Sequence, residues 1–230
     1  MKINRLLTLL ILLLGLVQTA WAQEIEEPDY KLIRQSISNS RSPNYYPSLM
    51  RRYMENDTTL TLEQYRNLYY GYSFQEDYVP YKGHKKQLLD ARVRFTKSKG
   101  DGNLAPEMIR IAKASLEDNP FDIPAINIIA VSYLQIGDTV QYNVWDIKQK
   151  GILDAILSSG DGNEPSSAFH VIDIEHEYEV LNRLGLQIES DSLVNDNIEY
   201  LKVKENAEDI PGLFFNFGAC RSAYKKRYEK

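Results

Sequence analysis

Residues 119–138 read NPFDIPAINIIAVSYLQIGD and hold the clearest helix signal of the chain. Asp122 is a good N-cap, and Pro124 stands in the first turn, where its missing N–H is tolerated. Isoleucine and alanine side chains then recur at helical spacing until Gly137 stops the pattern. This stretch predicts a helix packed within a helical core.

Helical spacing continues on both sides of this stretch. Apolar residues from Met108 to Leu116 predict the helix before it, and the residues from Thr139 to Leu157 predict the helix after it. Breaks at proline, glycine and asparagine clusters separate shorter helices nearer the N-terminus. These shorter helices are predicted at about 29–40, 47–55, 61–71 and 85–96.

The period of the apolar residues changes after a loop at 158–163. Four runs that alternate or are rich in aromatic residues predict strands, with one short helix between them. The strands are predicted at 169–174, 186–190, 198–204 and 213–217, and the helix at 177–184. We predict an α+β fold in which a helical N-terminal block resembling helical repeats, residues 23–160, precedes a β-rich part, residues 161–230. This part forms a small, mainly antiparallel sheet of about four strands, packed on the block as one domain.

The first 22 residues have the features of a secretory signal peptide. Two basic residues precede an apolar run at 6–17, and the alanines at positions 20 and 22 fit cleavage before Gln23. The apolar run is short for a membrane span. We therefore expect an exported protein, periplasmic or extracellular, with no transmembrane anchor after the signal is cleaved.

Charge and cysteine content narrow the classes of partner. Without the signal, the chain has 25 basic and 32 acidic residues, a net charge of −7. An acidic surface argues against nucleic acid as a partner. Cys220 is the single cysteine, so no internal disulfide is predicted, and we expect its thiol to be inert and at least partly buried.

The tyrosines are concentrated in one part of the chain. Nine of the sixteen lie between residues 45 and 81. Tyrosine and arginine supply rigid contact area with a polar tip, which suits a binding surface, but tyrosines at helical spacing also suit a core. Both interpretations remain open from the sequence. The predicted binding residues are Arg66, Tyr69, Tyr70, Tyr72, Phe74 and Tyr78.

Two resemblances accompany these patterns. The first is carried by Asn119-Pro120, Ala130, Tyr133 and Gly137-Asp138. These residues resemble a tetratricopeptide helix pair over about thirty residues, although generic helix packing is an equal alternative.

The second resemblance is carried by the run Tyr69-Tyr70-Gly71-Tyr72-Ser73-Phe74 and by several later segments. They resemble an exported bacterial family that is classified only as a domain of unknown function. The matching segments are 56–61, 65–74, 168–172, 177–182, 200–203 and 212–216. The resemblance implies export and covers nearly all of the mature chain, departs after Asn216, and brings no activity with it.

One acidic run suggests metal chemistry at first sight. His170, Asp173, Glu175, His176 and Glu177 fall within eight residues. Six residues of strand span about 20 Å, which is too far for both histidines to share one ion without a turn. We expect a strand followed by a helix start with solvated carboxylates, and we predict no metal and no cofactor.

No catalytic motif stands out in the chain. We therefore expect a non-enzymatic binding or scaffolding module for an envelope protein, a peptide or a glycan, acting through the tyrosine-rich segment. The alternative is a hydrolase that acts on an envelope polymer through carboxylates near that segment, such as Glu76 and Asp77. Such an enzyme would need two carboxyl groups facing each other across a cleft.

Overall fold

The structure, a computed structural model, describes residues 25–80, 86–97 and 101–229. The predicted signal peptide lies outside these residues, so export stays a prediction. Nine α-helices occur in the described residues, and seven of them precede the sheet. They are α1 (Tyr30–Ser38), α2 (Tyr46–Met54), α3 (Leu62–Tyr72), α4 (Lys86–Lys97), α5 (Ala105–Leu116), α6 (Ile123–Gln135), α7 (Thr139–Leu157), α8 (Glu175–Arg183) and α9 (Gly218–Tyr228).

Side-chain caps set the starts of several helices. Asp29, Asp122 and Asp138 each accept a hydrogen bond from the backbone N–H three residues later, at 2.8 to 3.0 Å. Thr61 and Gln64 form a reciprocal capping box at the start of α3. All eight of these predicted helices are found within a few residues of their predicted bounds, and the basic tail forms α9.

The four strands form one mixed sheet in the order β1-β4-β3-β2. They are β1 (Phe169–His170), β2 (Ile188–Leu193), β3 (Ile198–Val203) and β4 (Gly212–Asn216). The pairs β2–β3 and β3–β4 are antiparallel, whereas β1 pairs parallel with β4. The predicted α+β fold, with helices followed by a small and mainly antiparallel sheet, is confirmed.

Strand β1 is shorter than the predicted run at 169–174. The N–H of Val171 still donates to the carbonyl of Asn216 at 3.0 Å, but the N–H of Ile172 donates to the hydroxyl of Tyr69 at 3.2 Å. The strand ladder therefore ends because a side chain of α3 accepts the next hydrogen bond.

The helices and the sheet share apolar contacts. Helix α6 packs against both α5 and α7. In the described part of the chain, buried side chains from the helices, such as Ile129, belong to the same cluster as Leu201 and Phe215 of the sheet. None of the helices described there has both the length and the apolar character that a membrane span needs.

Candidate functional site

Phe121, in the turn before α6, lies at the centre of the tyrosine-rich cluster. Its ring stacks on that of Tyr53 with 5.3 Å between the ring centroids. The centroids of Tyr69 and Tyr72 lie 5.7 and 5.2 Å from that of Phe121. All four rings are buried, so this part of the cluster is a packed aromatic core.

The hydroxyls of two neighbouring tyrosines, Tyr70 and Tyr78, make internal hydrogen bonds. Tyr70 donates to the carbonyl of Ala155 at 3.0 Å, and Tyr78 donates to the carbonyl of Ile172 at 2.5 Å. Burial raises the pKa of both tyrosines, which keeps them protonated and able to donate. These bonds connect α3 and the segment after it to α7 and to the end of β1.

Arg66 also acts inside the fold. Its Nη1 donates to Oγ of Ser158 at 2.5 Å, and its Nη2 donates to the carbonyl of Glu26 at 2.6 Å. The guanidinium carbon lies 5.8 Å from the ring centroid of Tyr70. Arg66 therefore joins the C-terminal end of α7 to the segment that precedes α1.

The structure separates the six predicted binding residues by exposure. Five of them are buried, whereas Phe74 is 37% exposed. The buried residues are Arg66, Tyr69, Tyr70, Tyr72 and Tyr78. The core-packing interpretation accounts for the buried residues. The polar groups of four of them bond to internal partners, and the ring of Tyr72 packs on those of Phe121 and Tyr78. A binding role stays a prediction, and it applies best to the two members that line a cleft, Phe74 and Tyr78.

This cleft has a volume of about 670 Å³ and lies between α1, the segment after α3, the end of the sheet and α9. Small-ligand sites commonly have volumes of about 300–1,000 Å³. The long side of the cleft follows α9, whose lining residues run from Gly218 to Arg227. A helix rises about 1.5 Å per residue, so this side is roughly 13 Å long.

His170 lines the cleft where β1 ends. Its side chain is 9% exposed, its Nε2 lies 3.6 Å from Oε1 of Glu27, and its Nδ1 is buried with no hydrogen-bond partner among the described residues. Burial, followed by the charge of Arg66, lowers the pKa of His170 to about 4. The imidazole is therefore neutral at physiological pH, and its contact with Glu27 is not an ion pair there.

Tyr30 forms an aromatic wall of the same cleft. Its ring centroid lies 6.1 Å from that of His170 and 6.3 Å from that of Phe74. Its hydroxyl is buried and has no hydrogen-bond partner in the described part of the chain. Burial raises the pKa of Tyr30, so the hydroxyl stays protonated. The cleft thus has an aromatic wall. Nδ1 of His170 and the hydroxyl of Tyr30, which lack hydrogen-bond partners among the described residues, are both shielded from solvent.

The charges around the cleft favour an anion at one end. Arg34, Lys226 and Arg227 line it, and Glu27 and Glu76 oppose them. The guanidinium of Arg34 lies 5.6 Å from the ring centroid of Phe74. Nη1 of Arg227 donates to the carbonyl of Tyr78 at 2.8 Å, which fixes its charge near the cleft.

The carboxylates of the predicted hydrolase site do not both reach the cleft lining. Glu76 lines the cleft, but Asp77 does not. The second carboxylate of the cleft is Glu27, from the segment before α1. The two carboxylates available for the alternative hydrolase function are therefore Glu76 and Glu27.

The two histidines of the acidic run have different surroundings. His176 lies on α8, with Nε2 at 2.9 Å from the carbonyl of Phe121 and Nδ1 at 2.7 Å from the hydroxyl of Tyr69. His170 faces the cleft instead. Within the described ranges, no group of three histidine, cysteine or carboxylate side chains is arranged to hold a metal ion.

The expectation of solvated carboxylates in the acidic run is wrong for one of them, because it packs inside the protein. Glu177 of α8 is buried, and its oxygens have no donor among the described residues. Burial, with Glu199 of β3 as the next cause, raises the pKa of Glu177 to about 9. The two carboxyl groups can share a hydrogen bond only while one of them carries a proton.

Several residues of the cleft were not predicted from the sequence. Tyr30 and Arg34 lie on α1, and Lys226 and Arg227 lie on α9. The signal available for the second pair was the basic tail, which has four lysines and arginines between residues 221 and 227. Charge alone does not say which face of the tail lies towards the cleft. Cys220, in contrast, is buried as expected, and burial raises its pKa.

Comparison with known proteins identifies a family but no function. The family described as "Domain of unknown function (DUF4919)" matches residues 31–226. The expected membership of a family without an assigned function is confirmed by this match. No curated protein and no solved structure gives a significant match.

Proposed function

The chain belongs to the DUF4919 family, and from that premise we propose that it is a non-enzymatic binding module of the cell envelope. Its partner would be an envelope protein, a peptide or a glycan, and its binding site the cleft between α1 and α9. The observation that carries the proposal is the cleft itself, about 670 Å³ in volume, which combines the exposed ring of Phe74 with the charged side chains of Arg34 and Lys226.

The aromatic wall supports the same site. Phe74 is the exposed member of the predicted binding set, and it stands beside Tyr30 in the cleft. Aromatic side chains next to a few polar groups are typical of ligand sites. The buried tyrosines of α3 support the site indirectly, because they hold the segment that carries Phe74 against the rest of the core.

The test blocks the cleft without disturbing the core. Ser222 is exposed on α9 and lines the cleft, whereas Lys225 is exposed on the same helix and does not. We expect Ser222→Trp to lose a partner that the wild-type protein captures from envelope extract, and Lys225→Trp to retain it. Melting temperatures of both variants serve as the folding control. If Ser222→Trp captures the same partner as the wild type, the cleft is not the binding site.

The alternative function is a hydrolase that acts on an envelope polymer. It is favoured by the presence of two carboxylates, Glu27 and Glu76, in one cleft. Glycoside hydrolysis needs such a pair at about 5–9.5 Å. Screening the protein against envelope polysaccharides, with Glu76→Gln and the exposed Glu208→Gln compared, tests it. Hydrolysis that is lost only in Glu76→Gln would replace the binding proposal with this one.

A further inference from the structure

We propose that the ligand of the cleft is a short extended peptide with a free carboxylate, which the basic end of the cleft binds. This inference rests on the proposed binding function and names the class of ligand. It follows from the distribution of charge in the cleft, from the length of the cleft, and from the position of the Arg34 guanidinium over the ring of Phe74.

The cations of α9 lie at one end of the cleft, which Glu27 and Glu76 also line. Gly218 begins α9 beside Asn216, whose Oδ1 accepts the N–H of Gly218 at 2.9 Å. Lys226 and Arg227 lie at the other end of the same helix, more than two turns later. This basic end is complementary to an anion, although the whole chain has a net charge of −5.

Length indicates how large the ligand is. From Gly218 to Lys226 the helix rises about 12 Å. An extended chain spans at most about 3.3–3.6 Å per residue, so about four residues cover this distance. A peptide of that length, with its carboxylate beside Lys226, reaches the end of the cleft where His170 lies.

The polar end of the cleft suits a peptide backbone. His170 lines this end, and Nε2 of its imidazole lies 3.6 Å from Oε1 of Glu27. Asn197 and Asn216 line the same end, and their amides provide both donors and acceptors. Alternating N–H and C=O groups of an extended peptide can pair with such a set.

The aromatic wall argues for a peptide over a glycan. A sugar ring stacks best on an open aromatic face, whereas the guanidinium of Arg34 lies over the ring of Phe74. Tyr30 and Tyr78 are largely or fully buried, so neither offers an open face. The wall can still accept an apolar side chain.

The experiment uses four probes and NMR detection of binding to the ¹⁵N-labelled protein. The probes are a pool of N-acetylated apolar tetrapeptides with free C-terminal carboxylates, the same pool with amidated C-termini, a galacturonic acid tetramer and inorganic phosphate. We expect the free-acid pool to shift the amide resonances of Phe74, His170 and Ala223. The amidated pool should bind about tenfold more weakly, because the charged hydrogen bonds are lost.

Two variants of α9 test where in the cleft the carboxylate of the peptide binds. Lys226→Gln removes a lining charge, and Lys225→Gln removes an exposed neighbour that does not line the cleft. We expect Lys226→Gln to weaken binding of the free-acid pool about threefold and to have no effect on the amidated pool. Lys225→Gln should leave both affinities unchanged.

Four results would overturn the inference. The first three are equal binding of the acid and amide pools, tighter binding of the galacturonic acid tetramer than of the peptides, and equal effects of the two lysine variants. The fourth is binding of phosphate that matches the peptides, since the cleft would then select an anion alone. None of these results removes the proposed function, which fails if Ser222→Trp keeps the captured envelope partner or if hydrolysis is lost only in Glu76→Gln.

Discussion

The hydroxyl of Tyr69 lies 2.7 Å from Nδ1 of His176, a residue 107 positions later in the chain. Nε2 of the same ring lies 2.9 Å from the carbonyl of Phe121, which can only accept, so Nε2 carries the proton. The Tyr69 hydroxyl then donates to Nδ1 and accepts the N–H of Ile172. One buried chain of hydrogen bonds thus joins α3, α8 and the end of β1.

Replacing Tyr69 with phenylalanine tests how much this hydrogen-bond chain stabilises the fold. Tyr69→Phe keeps the ring but leaves Nδ1 of His176 and the N–H of Ile172 without their partner. We expect a loss of about 1–3 kcal/mol in the free energy of unfolding, measured by urea denaturation. The exposed Tyr228→Phe should change it by less than about 0.5 kcal/mol. Equal values for the two variants would contradict a structural role for the Tyr69 hydroxyl.

The buried carboxyl group of Glu177 predicts that stability falls as pH rises. The pKa of Glu177 is raised from 4.5 to about 9 in the folded state, mainly by burial. Between these values the folded state keeps a proton that the unfolded state has released. The free energy of unfolding should therefore decrease by up to about 1.4 kcal/mol per pH unit over this range.

Glu177→Gln isolates that effect, because glutamine cannot titrate. We expect the stability of the wild type, relative to Glu177→Gln, to decline between about pH 5 and pH 9 in urea titrations. Glu208→Gln, at an exposed position, is the matched control and should run parallel to the wild type. A constant difference between the wild type and Glu177→Gln would show that the carboxyl group does not keep its proton.

A buried lysine predicts the opposite trend at higher pH. Nζ of Lys148 lies 4.2 Å from the ring centroid of Tyr53 and 4.7 Å from that of Trp145. Burial, followed by the charge of Lys113, lowers the pKa of Lys148 to about 7. Between pH 7 and 10.5 the unfolded state binds more protons, so stability should rise with pH.

Lys148→Met tests this trend while keeping the apolar stem. Its stability relative to the wild type should decrease steadily from pH 7 to pH 10, as measured by urea denaturation. The exposed Lys150→Met should show no such change. A flat difference between the wild type and Lys148→Met would mean that Lys148 keeps its charge when buried.

The sequence predicts the elements of this fold better than their contacts. Helix caps such as Asp122 and the alternation around Leu201 are local signals, so the helices and strands follow from short windows. The tyrosines of α3 left two interpretations open because burial depends on distant partners, for example the carbonyl of Ala155 for Tyr70. The cleft depends on α1 and α9 lying on two sides of it, an arrangement that has no local signal in the sequence.

Gly151 shows the same dependence on distant packing, and it supplies a sharp test. A Cβ atom at Gly151 of α7 would overlap the ring of Tyr65 on α3. In an exposed helix, alanine stabilises relative to glycine, yet here we expect Gly151→Ala to lower the free energy of unfolding by about 1–3 kcal/mol. Combining it with Tyr65→Ala, in a double-mutant cycle measured by urea denaturation, should give a favourable coupling above about 1 kcal/mol. Additive effects of the two substitutions would contradict the close approach of α3 and α7.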